Sequence, residues 1–280
     1  MKLAVMTDST AYIPADIRDK HNIHMVPLSV NFKNHSYEEE IDITSDQFYE
    51  KVRETKELPT TSQPSIGYLT TKLKELAMDF DAVISVHLSS GISGTYQTVL
   101  TAGEMVEDID VYAYDSEMSC MAQGFYALEA ALMAATGKTA EEVLLRLDEM
   151  KQSMDAYFMV DDLTNLQRGG RLSGAQALVG SLLQVKPILH FSDKLIVPLE
   201  KIRTRKKAIH RIVGLLEADA EKGNELRVAF IHGNDETAAV ELQSNFLRKY
   251  PNMETSISYF GPVIGTHLGE GALGIAWYVK

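Results

Sequence analysis

Cysteine occurs once in the 280 residues, at position 120, which excludes an internal disulfide framework and a cysteine-built zinc knuckle. Basic charge is scarce as well. Lys and Arg total 27 against 39 Asp and Glu, a formal net charge of −12. Phosphate neutralisation needs a basic footprint, so the balance speaks against a general nucleic-acid binder and against attachment to anionic lipid by charge alone. Long apolar runs are missing. The charge-free stretch 271–279 falls far below the roughly 18–20 residues that span a bilayer. Residues 1–8 reach a charge after an apolar run too short for a secretory leader, so a soluble, cytoplasmic protein is the expectation. Nucleotide signatures are absent too: no Gly-x-Gly-x-x-Gly, no Walker Gly-Lys-Ser/Thr and no kinase motif set.

What is present is an ordinary globular composition, 45% hydrophobic and 24% charged, long enough for one large or two modest cores. The first half alternates strands and helices. Strands are expected at 3–7, 24–32, 82–88 and 111–114. Thr44 with Gln47 and Thr139 with Glu142 are capping boxes that open helices. Such repeats imply a mainly parallel sheet covered on both faces. After residue 155 the pattern changes. A strand at 157–160 leads to a short helix broken by Arg168-Gly169-Gly170-Arg171. Ser173 is placed to cap a helix to 185, and 187–190 with 195–197 reads as a hairpin. Thr204 caps a long helix, and strands at 227–232, 256–260 and 273–279 follow around a helix at 236–250. The expected organisation is two α/β lobes, 1–154 and 155–280, with no long linker.

Four segments carry possible chemistry. The strand–loop–helix at 82–105 holds Ser89-Ser90-Gly91-Ile92-Ser93-Gly94-Thr95. Its glycines allow close backbone approach, and the unpaired N–H groups of the helix suit an anion. The plain alternative is a capped βα turn. Gly91-x-Ser93-x-Thr95 is one residue away from a nucleophile elbow, so a serine hydrolase using Ser93 with His267 or His232 as base is the rival function. Between Pro59 and Pro64, Thr60, Thr61 and Ser62 offer hydroxyls, while Ser62 or Ser65 could simply cap the next helix. Around His267, glycines at 261, 265, 269 and 271 leave bare backbone suited to packing on a ligand; a lone His can equally be structural. Arg168, Arg171, Arg203 and Arg205 suit planar recognition of carboxylate or phosphate, or form a solvated basic face. The acidic residues show no metal-ligand spacing.

In order, VMTDSTAYIP (5–14), TTSQPS (60–65), VHLSSGISGTYQT (86–98), DDLTNLQRGGRLSG (161–174), VKPIL (185–189), KIRTRKKA (201–208) and GPVIGTHLGEGALGIAW (261–277) resemble the motifs of the DegV family over nearly the whole chain. That family includes the fatty-acid-binding subunit of bacterial fatty acid kinase. The resemblance implies two α/β lobes, the first with a mainly parallel and the second with a mixed sheet, and one long-chain fatty acid in the cleft between them. It implies a carboxyl group held by Thr61, Ser62, Ser93 and His267, with the backbone at Gly94 nearby. It implies a non-catalytic carrier without metal or cofactor. A separate ATP-dependent kinase subunit would phosphorylate the carboxyl, and the acyl phosphate would feed phospholipid synthesis. Arg171 and Arg203 would serve kinase docking or phosphoryl transfer, and an acyltransferase or a transient membrane surface would be further partners. The missing nucleotide motif fits a machinery that sits on the partner. Burying about 15 methylenes at ~0.8 kcal/mol each gives roughly 12 kcal/mol of gross driving force for the tail, much of it offset by lost freedom.

Overall fold

The computed structural model describes residues 2–161, 163–173 and 185–280. Its first half is built on a parallel sheet of four strands, β1 (Leu3–Asp8), β2 (Ile23–Val26), β6 (Ala82–His87) and β7 (Asp110–Asp115), in the order β2-β1-β6-β7. Every residue of β6 is buried, as a central parallel strand covered on both faces requires. Alternate side chains serve different cores. Ala4, Met6 and Val83 pack with α3 (Ile66–Ala77) and α4 (Thr95–Glu104). Val5, Ile84 and Val86 pack with α5 (Cys120–Ala135) and α6 (Ala140–Lys151).

The expected strand over 24–32 is two strands. Pro27 interrupts it, and β3 (Ser29–Phe32) leaves the parallel sheet to pair with β4 (His35–Glu38) and β5 (Thr60–Ser62) in a small antiparallel sheet ordered β4-β3-β5. Part of the polar segment 59–65 is therefore strand, with Thr61 opposite Val30. Ser65 caps α3 by accepting from the Tyr68 N–H. Both capping boxes form, on α2 (Ser45–Thr55) and on α6.

The second sheet is mixed and six-stranded: β8 (Asp155–Met159), β9 (Lys186–Ser192), β10 (Leu195–Ile202), β11 (Leu226–His232), β12 (Glu254–Tyr259) and β13 (Leu273–Val279), ordered β10-β9-β8-β13-β11-β12. The β9–β10 hairpin is longer than expected and turns at Asp193 and Lys194, both at positive φ. One face, with Val228, Phe230, Ile275 and Trp277, packs on α8 (Arg205–Ala220) and α9 (Glu236–Lys249). The other face, with Phe158, Ile231, Ala276 and Tyr278, packs on α5 and the first half. Eleven of the sixteen α5 residues are buried, so this helix is a shared layer between the two sheets. Two short helices complete the site, α7 (Thr164–Gly169) and α10 (Pro262–Leu268). The helix expected after Ser173 lies outside the described residues.

Candidate functional site: an apolar cavity closed by a polar ring

A cavity of about 300 Å³ lies against the six-stranded sheet, lined also by the start of α5 at Cys120, the loop before α4, and α7 and α10. Its floor is the sheet face, where the small side chains of Ala156 and Ala276 sit opposite each other and Gly274 faces Phe158. Leu28, Cys120, Ile231, Phe260 and Ile264 add further apolar wall. Burial pushes the Cys120 thiol up, so it lines the cavity as a small apolar group.

Most of the polar lining residues are linked in a ring, partly by contacts and partly as chain neighbours. Thr61 Oγ1 is 2.9 Å from His267 Nε2. The other ring nitrogen, Nδ1, meets the backbone of Gly169, where any Cβ would overlap it. Arg171 donates from Nη1 to the Gly169 carbonyl and from Nε to Ile92 O at 3.1 Å. Ser93 follows Ile92, and its Oγ is 2.9 Å from Thr95 Oγ1. Gly94 is the N-cap of α4 and has no side chain to satisfy the first turn; its Cα lies against the Gln63 side chain, two residues from Thr61. These links bring hydroxyls, a helix N-terminus, an imidazole and a guanidinium together in the lining of an otherwise apolar chamber. A pocket that is apolar with a few convergent polar groups has the chemistry that suits an amphiphile bearing an anionic head.

The electrostatics are asymmetric. Arg171 is the one formally charged residue in the lining among the described residues. Burial, together with the charges of Arg171 and Arg168, lowers the His267 pKa to about 4, so its imidazole is neutral at pH 7. His267 Nδ1 is buried without a hydrogen-bond partner among the described residues.

Of the sequence candidates, Thr61, Ser62, Ser93, Gly94, His267 and Arg171 meet at this cavity. Arg203 does not: it follows β10 with an exposed side chain. Arg168 donates to Pro59 O at 3.3 Å, and Arg205 donates to Gly271 O and to Asp235 Oδ2, so both tie loops together. Residues 262–268, expected as bare flexible backbone, form the buried helix α10. Its glycines make room for protein rather than ligand: a Cβ at Gly261 would enter the Tyr12 ring and one at Gly265 would press on the Tyr49 hydroxyl. Gly91 likewise lies against the carbonyl of Lys194, whose oxygen also accepts from Ser89 Oγ at 2.6 Å. No hydrogen bond joins Ser93 to either candidate base among the described residues. His267 pairs with Thr61, and His232 accepts from the Asp235 N–H and lines a different cleft.

Two buried networks behind the ring are invisible in the sequence pattern. Asp8 Oδ2 lies 2.9 Å from His87 Nδ1, and His87 Nε2 lies 2.6 Å from Ser85 Oγ. Burial alone would raise Asp8, but the hydrogen bond and charge of His87 and the hydrogen bonds of Thr10 and Gln123 hold it below the usual carboxylate range. Glu39, fully buried, accepts from Ser9 Oγ, Tyr12 Oη and the Val263 N–H at 2.6, 2.8 and 2.7 Å. The only cue for either is the run Asp8-Ser9-Thr10 at a strand end.

The family model for DegV, described as an uncharacterised protein of that family, matches residues 2–280. Protein DegV of Bacillus subtilis (strain 168) is 58% identical over 281 residues, covering 100% of both chains. The crystal structure of the B. subtilis DegV, a fatty acid binding protein, superposes with a TM-score of 0.96 over 100% of each chain. A Thermus thermophilus DegV family protein with fatty acid binding, 32% identical, gives 0.93, again over 100% of each chain. The chain belongs to the DegV family.

Proposed function

We propose that this protein binds one long-chain fatty acid, tail in the apolar chamber and carboxyl at the polar ring. The observation that carries the reading is the cavity itself, mostly apolar in its lining and bearing Thr61, Ser62, Ser93, His267 and Arg171 among its polar groups. Fatty acid binding by the B. subtilis and T. thermophilus relatives supports it. The carboxylate accepts hydrogen bonds from the hydroxyls and from first-turn N–H groups of α4 beyond Thr95, whose own N–H donates to Ser93 Oγ, with Arg171 as the formal charge of the lining. Lobes 1–154 and 155–280 enclose the tail between them.

The finer part of the reading is that of a carrier in the cytoplasm rather than an enzyme. It presents the carboxyl to a separate ATP-dependent kinase subunit, which forms an acyl phosphate for phospholipid synthesis, with an acyltransferase or a membrane surface receiving the product. Exposed Arg203, with Lys206 and Lys207, offers a cationic docking face, and Arg171 stands where developing phosphoryl charge needs a counter-ion. The test is mass spectrometry of the purified protein after denaturation. Release of about one free fatty acid per chain is expected. Protein that stays empty after incubation with oleate or palmitate would end the reading, and covalent capture of Ser93 by a serine-reactive probe would put the hydrolase in its place.

A further inference from the structure

The helix α10 carries His267 in its last turn and has no capping side chain of its own, because its N-cap is Gly261 and its first residue is Pro262. The next two N–H groups are satisfied from the other end of the sequence. Val263 donates to Glu39 Oε1 at 2.7 Å and Ile264 to Tyr12 Oη at 3.2 Å. Tyr12 in turn donates to Glu39, and Ser9 donates to its second oxygen. Ser9 Oγ also accepts from the N–H of Leu28, a cavity residue. Every neighbour presents a donor to the Glu39 carboxyl, an arrangement that suits an ionised group, whereas burial pushes it up to about 8.

Val263 and His267 are four residues apart, one turn along the same helix face, with a rise of about 6 Å. Glu39 and Thr61 belong to one neighbourhood of the small sheet: Tyr37 and Thr61 both pair with Val30, from opposite sides. The helix is therefore pinned to that sheet at two points, Glu39 to Val263 behind and Thr61 to His267 at the cavity. We infer that Glu39 is a positioning residue for the polar ring: by anchoring the start of α10 it sets the distance between Thr61 and the His267 imidazole. The inference rests on the fatty-acid reading only for what the ring holds, and the pairing itself can be followed without ligand.

The experiment compares Glu39→Ala, Glu39→Gln and Tyr12→Phe with a core control, Val228→Ala, which lies on the far face of the six-stranded sheet. Ring 15N signals of His267 are recorded in the delipidated proteins and assigned by their loss in His267→Gln. Oleate affinity and the carboxyl resonance of bound [1-13C]oleate are measured beside them. Glu39→Ala and Tyr12→Phe are expected to shift the His267 signals, move the oleate carboxyl resonance and weaken oleate binding about five- to tenfold. Glu39→Gln should return all three toward wild type, since its amide oxygen still receives Val263 and Tyr12. Val228→Ala should lower the melting temperature and leave the signals in place. If Glu39→Ala does not fold, Tyr12→Phe decides. Variants that melt lower yet keep the His267 signals and oleate affinity, as the control does, would overturn the inference. If the wild-type protein binds no oleate, the fatty-acid reading falls and the His267 signals alone judge the positioning.

Discussion

Thr61 Oγ1 and His267 Nε2 are 2.9 Å apart across 206 residues of chain, and this contact joins β5 of the small antiparallel sheet to the last helix in the lining of the cavity. Thr61→Val keeps the shape and removes the hydroxyl, leaving a buried imidazole nitrogen unpaired. The expected loss is about 1–3 kcal/mol of stability, with oleate affinity falling roughly tenfold or more. Denaturant midpoints and oleate titrations check both, and unchanged values would mean the contact is incidental.

Ser93 lines the same cavity, its Oγ 2.9 Å from Thr95 Oγ1. Ser93→Ala should weaken oleate binding by about 1.5–3 kcal/mol if its hydroxyl donates to the carboxylate. Titration of delipidated wild type and variant with oleate reads the difference, and equal affinities would remove Ser93 from the site.

The folded protein holds His267 near 4, below the ordinary value of 6.5, because burial and the flanking arginines disfavour its charge. Below pH 6.5 the unfolded chain therefore takes up a proton that the folded chain refuses. The stability that depends on a neutral His267 is present at pH 7 and declines as the pH falls from 6.5 toward 4, by up to about 3 kcal/mol. His267→Gln should flatten that part of the profile. Urea unfolding of both proteins between pH 7.5 and 5 makes the comparison, and parallel profiles would contradict the assignment.

Arg203 and Arg171, alike in the sequence, should part in experiment. Arg203→Ala is expected to keep its bound lipid and melting temperature while acyl-phosphate formation with kinase and ATP drops at least about tenfold. Arg171→Ala should lose both turnover and part of its lipid, because its guanidinium lines the cavity and anchors Ile92 and Gly169. Lipid content measured beside phosphorylation separates the two. Normal turnover of Arg203→Ala would make the basic run a solvated surface.

The features legible in the sequence were those decided by near neighbours. The capping boxes at Thr44 and Thr139, the fully buried strand over 82–88 and the change of sheet type after residue 155 follow from local pattern. The ring residues Thr61, Ser93 and His267 stood out through the motifs around them. Features set by distant partners were hidden. The glycines of 261–265 mask a helix, because the space they free is taken by Tyr12 and Tyr49. Glu39 looks like the middle of a surface run, Glu38-Glu39-Glu40, and only the fold supplies the three donors that bury it. Arg171 and Arg203 differ in the folded molecule alone.

Helix α5 gives one side to each sheet: the Tyr126 ring lies 5.6 Å from Tyr114 of β7, tilted by 52°, while Phe125 lies 5.3 Å from Tyr278 of β13. Neither half owns a complete core without it. Cutting the chain near residue 154 would leave the first fragment with an apolar helix face open to water and the second with one uncovered face of its sheet. Helix α5 thus ties the two sheets into one packed body. The two sheets should therefore melt in a single transition, which scanning calorimetry checks, and two separate transitions would contradict the shared layer.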